Sequence, residues 1–219
     1  MLEGPPARFE ARTRPWAAGR PIIRAHPSTF GSSELDRRGD ADNRWSPITV
    51  DGQVVGVLYA AESHRAAASE TIFRTVPIPE GNREDRPRQV FLGPYQGWVW
   101  STLACSRELT LVDLGTDGLA ALGVTWEDLI GSGRLHYPMT QRWAEALWRA
   151  APSADGLVWR SRQAPDQEAL LLFEKLPRRP GGLRRGDLFS DGPPDPFFYP
   201  QGLERLFALA AELDITVVL

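Results

Sequence analysis

Cysteine is almost missing from this 219-residue chain; Cys105 stands alone. That excludes an intrachain disulfide and a thiolate metal cluster. Its place in the apolar stretch Trp98 to Ser106 reads as a buried core thiol, not a nucleophile. Histidine is nearly as scarce: His26, His64 and His136 lie far apart and form no HExxH or His-x-His cluster, so no metal is expected. No apolar run nears the ~18 residues that a membrane span needs, and no signal-peptide core opens the chain. The expected location is the cytoplasm, with no membrane partner.

A surplus of either charge is missing too. The 25 basic residues face 28 acidic ones, a net charge of −3, which argues against direct nucleic-acid or anionic-membrane binding. Lys175 is the lone lysine, so the cationic side chains are arginines, which grip phosphate through bidentate hydrogen bonds. There is no GxGxxG, GxxxxGK[ST] or GxSxG motif, and Gly131-Ser132-Gly133 is merely a short glycine loop. A Rossmann turn, a P-loop and a nucleophile elbow are therefore not indicated. The eight tryptophans have no accompanying basic stripe and read as packing, not as a base-stacking platform.

What is present suits one domain with a substantial core: 42% hydrophobic and 10% aromatic residues. Residues 1–20 read as an N-terminal arm, 21–176 as the core, and 177–219 as a Pro/Arg-rich loop followed by a helix and strand on the same domain. Ser28–Asn43, Pro77–Arg88 and Pro177–Pro200 are polar, loop-like stretches. Strand-length apolar runs occupy Pro21–Ala25, Gly52–Ala60, Gln96–Cys105, Glu108–Leu114, Gly156–Ser161, Ala169–Lys175 and Ile215–Leu219. Helical periodicity covers Ser63–Arg74 (with Ser63 as N-cap), Pro138–Ala150, Gln201–Leu213 and, more weakly, Gly118–Ile130. The segment Pro138–Ala150 repeats Met139, Trp143, Ala146, Leu147 and Ala150; the last helix repeats Leu203, Leu206, Phe207, Ala210 and Leu213. The sum is a strand-dominated α/β (α+β) fold with a mixed sheet flanked by helices.

Chemistry concentrates in the first ninety residues. Arg24 ends a short strand, Arg44-Trp45-Ser46-Pro47 follows twenty residues later, and Tyr59 lies near the end of the next strand. Glu70 sits at the border of the next helix's apolar face. Spacing leaves two readings of Glu70 open: a carboxylate turned into a cleft, or an exposed i,i+4 ion pair with Arg74. Likewise Arg24 can end a strand on a carboxylate, Tyr59 can be a satisfied core tyrosine, and Arg44 and Trp45 can be loop packing. Gln141 reads as stabilising a helix start.

The series Ile23-Arg24, Asn43-Arg44-Trp45-Ser46-Pro47, Val57-Leu58-Tyr59-Ala60-Ala61-Glu62-Ser63 and Glu70 resembles the RES domain family, named for an Arg, a Glu and a Ser. Downstream, Tyr137-Pro138-Met139-Thr140-Gln141 is similar to the family's aromatic-x-x-Thr-Gln helix start, and Asp155-Gly156-Leu157-Val158-Trp159-Arg160-Ser161 to its Asp-Gly-Leu-x-x-x-Ser strand. The resemblance implies a fold related to ADP-ribosyltransferases and a toxin that degrades NAD, with phosphate or water as acceptor. NAD is then substrate, with inorganic phosphate as a possible co-substrate and no other cofactor. It also implies an Xre-like helix-turn-helix antitoxin in a hetero-oligomeric complex. On that basis Arg24, Glu70 and Tyr59 are catalytic candidates, and Arg44, Trp45 and Ser161 bind substrate. Transfer of ADP-ribose to a protein and a non-catalytic interaction module are the alternatives. Asn43 stands where the family commonly has glycine, and Ala25 where an aromatic is common.

Overall fold

The computed structural model describes residues 3–78 and 87–219; residues 79–86 of the polar stretch Pro77–Arg88 lie outside the described residues. In chain order the elements are β1 (Thr13–Trp16), β2 (Ile22–Pro27), β3 (Ile48–Val50), β4 (Gln53–Val55), β5 (Val57–Ala61), α1 (His64–Glu70), β6 (Gln89–Phe91), β7 (Trp98–Cys105), β8 (Leu109–Asp113), α2 (Thr116–Leu122), α3 (Trp126–Leu129), α4 (Tyr137–Ala150), β9 (Gly156–Arg160), β10 (Glu168–Phe173), β11 (Leu188–Ser190), β12 (Asp195–Pro196), α5 (Pro200–Glu212) and β13 (Thr216–Val218). Nine strands form one mixed sheet in the order β1-β8-β9-β10-β5-β2-β7-β11, with β12 also pairing β7. β8 and β9 run parallel, because α2, α3 and α4 supply the crossover that parallel strands need. The expected mixed sheet with flanking helices is what the chain forms.

Alternation along the strands divides the core. Ile22, Leu58, Ala60, Leu103, Leu170 and Leu172 fill one side of the curled sheet. On the other side, one cluster packs beneath α1 and α5 around Ile23, Ala25, Ala61, Phe73 and Trp100. A second packs beneath α4 around Trp45, Trp143, Leu157, Trp159 and Leu171. Cys105 lies in the core, where burial lifts its pKa to about 11 and keeps the thiol protonated.

Several boundaries shift for physical reasons. Residues 13–16, read as part of the arm, are the edge strand β1, registered on β8 from Thr13↔Val112 to Trp16↔Leu109. The single strand expected over Gly52–Ala60 is two, separated by Gly56; its N–H donates to Glu174 Oε2 at 3.1 Å, leaving the strand register. Asp51 and Gly52 both take positive φ (53° and 79°), closing a tight β3–β4 hairpin. On α4 the buried positions are Tyr137, Thr140, Trp143, Ala144 and Leu147, so the inward face is turned away from Ala146 and Ala150. On α5 it is Leu206, Leu209 and Ala210, and Phe207 is exposed.

Arg179 closes α4. Its buried guanidinium donates to the carbonyls of Trp148 (2.6 Å), Ala151 (3.0 Å) and Ala154 (2.9 Å), and stacks over the Trp148 ring. A cation there complements the helix dipole and satisfies carbonyls that the helix leaves unpaired. Burial lowers its pKa to about 10, so it stays charged at neutral pH. Arg179→Met keeps the stem and removes the donors. The expected cost is about 1–3 kcal/mol, read as a lower urea midpoint with unchanged slope.

Candidate active site

Glu70 is the last residue of α1. Ser63 starts that helix, its hydroxyl accepting from the Ala66 N–H at 3.1 Å. The helix ends at Glu70 because the Thr71 hydroxyl bonds back to the Ala67 carbonyl at 2.6 Å and competes with the ladder. Arg74 is therefore off the helix, and the i,i+4 pair with Glu70 does not form. Instead Glu70 Oε1 accepts from the Ser161 hydroxyl at 2.7 Å and from the Arg162 backbone N–H at 3.2 Å. Ser161, fully buried just past β9, is held by its own N–H on Gln167 O at 2.9 Å.

A narrow cleft opens beside Glu70, walled by Tyr59, Thr71 and Trp159 with Ala25, Ala60 and Ala67. The Tyr59 hydroxyl is turned away from it, accepting from the Trp45 N–H at 3.1 Å and lying 3.3 Å from the Ser46 hydroxyl. Burial pushes the Tyr59 pKa up to about 12, so the phenol is neutral and offers the cleft its ring. A larger recess of about 360 Å³ is walled by Arg14, Asp113 and Glu168, but these charges already pair with one another. Among the described residues no group of side chains has a metal-ligating arrangement.

Arg44 lies in the electric field of Glu70, of the Tyr137 phenol and of two further cations, Arg74 and Arg162. Burial is the largest influence on it and lowers its pKa, and Glu70 opposes that. The segment carrying it is strapped to α4: the Thr140 hydroxyl donates to Arg44 O at 2.5 Å, and the Gln141 amide to Asn43 O at 3.0 Å and Ser46 O at 2.9 Å. Gln141 thus fastens the Arg44 loop to α4 from just beyond the helix's first turn. Asn43 has its own use, accepting from Arg74 Nη1 at 3.3 Å.

Two candidates fall elsewhere. Arg24 does not line the cleft. Ile23 and Ala25 on either side of it face α1, and strand alternation turns Arg24 to the opposite face, beside its partner Ser101. There its guanidinium donates to the carbonyls of Gly31 and Ser32, both at 2.9 Å, and burial lowers its pKa to about 10 against the pull of Glu34 and Asp36. It organises the loop after β2. Trp45 has its indole in the core, 5.6 Å from the Trp159 ring, and meets the site only through its backbone N–H. The structure therefore brings together Tyr59, Glu70, Ser161 and Arg44.

Sequence reasoning missed Arg74, Arg162 and Tyr137 as members of the site. Arg74 Nη2 donates to the Tyr137 hydroxyl at 2.5 Å, and Arg162 Nη2 to Arg74 O at 2.8 Å. The available signal was adjacency: Arg162 directly follows Ser161, and Tyr137 opens the aromatic-x-x-Thr-Gln segment.

The fold has a solved counterpart. A chain of the M. tuberculosis MbcT–MbcA toxin–antitoxin complex superposes with a TM-score of 0.58 at 16% identity, covering 90% of this chain and 92% of that one. No curated protein sequence matches the chain. The RES domain profile matches residues 14–187, a span that holds the sheet from β1 to β10, the Glu70 cleft and its arginines; the chain belongs to the RES domain family.

Proposed function

We propose that the chain is the toxin of a toxin–antitoxin pair and cleaves the nicotinamide–ribose bond of NAD, passing ADP-ribose to phosphate or water. The observation that carries this is one carboxylate, Glu70, fixed by Ser161 and the Arg162 N–H at the edge of an aromatic-walled cleft. Breaking the bond sends its electron pair to the nicotinamide nitrogen, which leaves neutral and needs no acid. The ribose becomes oxocarbenium-like, and a carboxylate beside it stabilises that charge. A phosphate or water oxygen then bonds to the anomeric carbon; with water, one proton is released. The Tyr59 ring suits the flat cationic nicotinamide before departure. Arg44 supplies positive charge for the phosphates.

The antitoxin rests on the structural counterpart, a toxin–antitoxin complex, and on the resemblance that points to an Xre-like helix-turn-helix partner. Among the described residues no helix is long and apolar enough to cross a membrane, which agrees with a cytoplasmic site of action.

Incubation of the purified chain with NAD tests the reading. Free nicotinamide with ADP-ribose or its 1″-phosphate is expected; label retained on a macromolecule would point to protein modification, and intact NAD would overturn the reading. Tyr59→Phe separates ring from hydroxyl. Because the hydroxyl serves the Trp45 N–H and Ser46, its loss is expected to cost about 1–2 kcal/mol of stability. NAD cleavage should stay within about tenfold of the parent, a change of at most ~1.4 kcal/mol in the barrier.

A further inference from the structure

Gln163 is 8% exposed, and a buried amide is stable only when its polar atoms find partners. Its Nε2 donates to Phe73 O and, at 2.9 Å, to Val76 O; both carbonyls belong to the segment that follows α1. Its Oε1 accepts from Arg88 Nη2 at 3.4 Å. These surroundings fix which end of the amide is which, since two carbonyls require the NH₂ and a guanidinium requires the oxygen. Arg88 is anchored in turn, with Nε on Pro77 O at 3.0 Å and Nη1 on the carbonyls of Leu213 and Asp214. Leu213 and Asp214 lie beyond residues 14–187, the span that the RES domain profile matches. The brace therefore draws on a part of the chain outside the family match.

The neighbours of Gln163 give this brace a further role. Ser161 and Arg162, the two residues before it, supply both donors to Glu70 Oε1. Among the described residues the Glu70 carboxylate has no other partner, so its aim follows that turn. Gln163 sets how the turn sits against the exit of α1, and Glu70 reaches across from one to the other. We infer that Gln163, backed by Arg88, is a positioning residue for Glu70. The inference rests on reading the Glu70 cleft as the NAD site. Without the bonds to Phe73 O and Val76 O, the turn shifts and carries the carboxylate away from the developing ribose charge. A misplacement of about 1 Å can cost roughly a hundredfold in rate although no reacting group is altered.

Two variants of the full chain test it. Gln163→Leu keeps the bulk and removes the amide; Arg88→Met removes only the backing and carries the test should Gln163→Leu not fold. Gln163→Leu should lower kcat for nicotinamide release by about tenfold to a hundredfold, and Arg88→Met by about threefold to tenfold, with KM within about threefold. A double-mutant cycle with Glu70→Gln separates positioning from loss of folded protein. Partial unfolding lowers the rate by the same factor in either background, and positioning does not. In the Glu70→Gln background either change should therefore alter kcat by less than about threefold. A second readout needs no NAD. The Arg162 N–H should exchange with solvent about tenfold faster in both variants, because its bond to Glu70 opens more often. An unchanged kcat, an additive cycle or an unchanged Arg162 exchange rate overturns the inference. Faster exchange in the variants of a parent that releases no nicotinamide sinks the NAD reading alone.

Discussion

Glu70→Gln is expected to slow nicotinamide release by about 10³-fold while leaving the fold intact. The arithmetic is electrostatic. A carboxylate about 4 Å from a developing unit positive charge, at an effective dielectric near 20, contributes about 4 kcal/mol, or roughly three decades in rate. Glutamine keeps the shape and an oxygen able to accept from the Ser161 hydroxyl and the Arg162 N–H, so the local bonds persist and only the charge is lost. The fall should lie in kcat more than in KM, because the charge being stabilised exists only in the transition state. The variant should melt close to the parent and no longer inhibit growth when expressed without a partner. Steady-state kinetics by nicotinamide chromatography decide it. A variant that still turns NAD over at the parent rate removes Glu70 from the chemistry and leaves the cleavage to other residues.

The sheet was largely legible because its strands are short apolar runs bounded by polar segments, and seven such runs correspond to β2, β4–β5, β7, β8, β9, β10 and β13. Strands that escaped notice lack that signature. β1 is Thr-Arg-Pro-Trp, an edge strand whose buried residue is Trp16, and β12 is two residues long. The β3–β4 hairpin was announced by Asp51-Gly52, a pair suited to two positive-φ positions, and its turn was read as the start of a strand.

The site was half legible. Glu70, Ser161, Tyr59 and Arg44 meet, yet Arg24 fails on parity. Ile22 and Ile23 precede it and Ala25 follows, so apolar neighbours stand on both parities, and only the packing of Ile23 and Ala25 beneath α1 settles which way it points. Arg44, Arg74 and Arg162 were invisible for another reason: they come from a loop before β3, the turn after α1 and a turn after β9, at separations that no spacing rule reaches. Motifs that carry the family resemblance also concealed structural work. In Asp155-Gly156 the glycine lets β9 approach β10, since a Cβ there would lie 2.2 Å from Leu171 O.

Asp155 itself is expected to be among the costliest residues to replace. Its side chain is 4% exposed and accepts four hydrogen bonds: Arg107 Nη1 at 2.9 Å, Arg107 Nη2 at 2.8 Å, Thr110 N–H at 2.9 Å and Gly182 N–H at 2.8 Å. It thereby ties the start of β9 to β8 and to the segment after β10. Every partner is a donor, so asparagine would set an NH₂ against at least one of them and leave the Arg107 charge unanswered. Breaking a buried pair from one side costs about 3–5 kcal/mol, and the lower end applies because Arg107 is 38% exposed. For a chain of this size that is a fall in melting temperature of roughly 6–12 °C. The pH dependence carries a distinct signature. Burial alone would raise the Asp155 pKa, but Arg107 and the Thr110 and Gly182 N–H groups outweigh it and hold the carboxyl below its usual range. The folded state therefore keeps the carboxylate, and the unfolded chain takes up the proton first as pH falls below ~4. Stability from this group is complete at neutral pH and drains away as pH drops through the unfolded and then the folded pKa. The gap in urea midpoint between parent and Asp155→Asn should be narrower at pH 3.5 than at pH 7. If the gap between them stays constant with pH, Asp155 is not held as an anion by these donors.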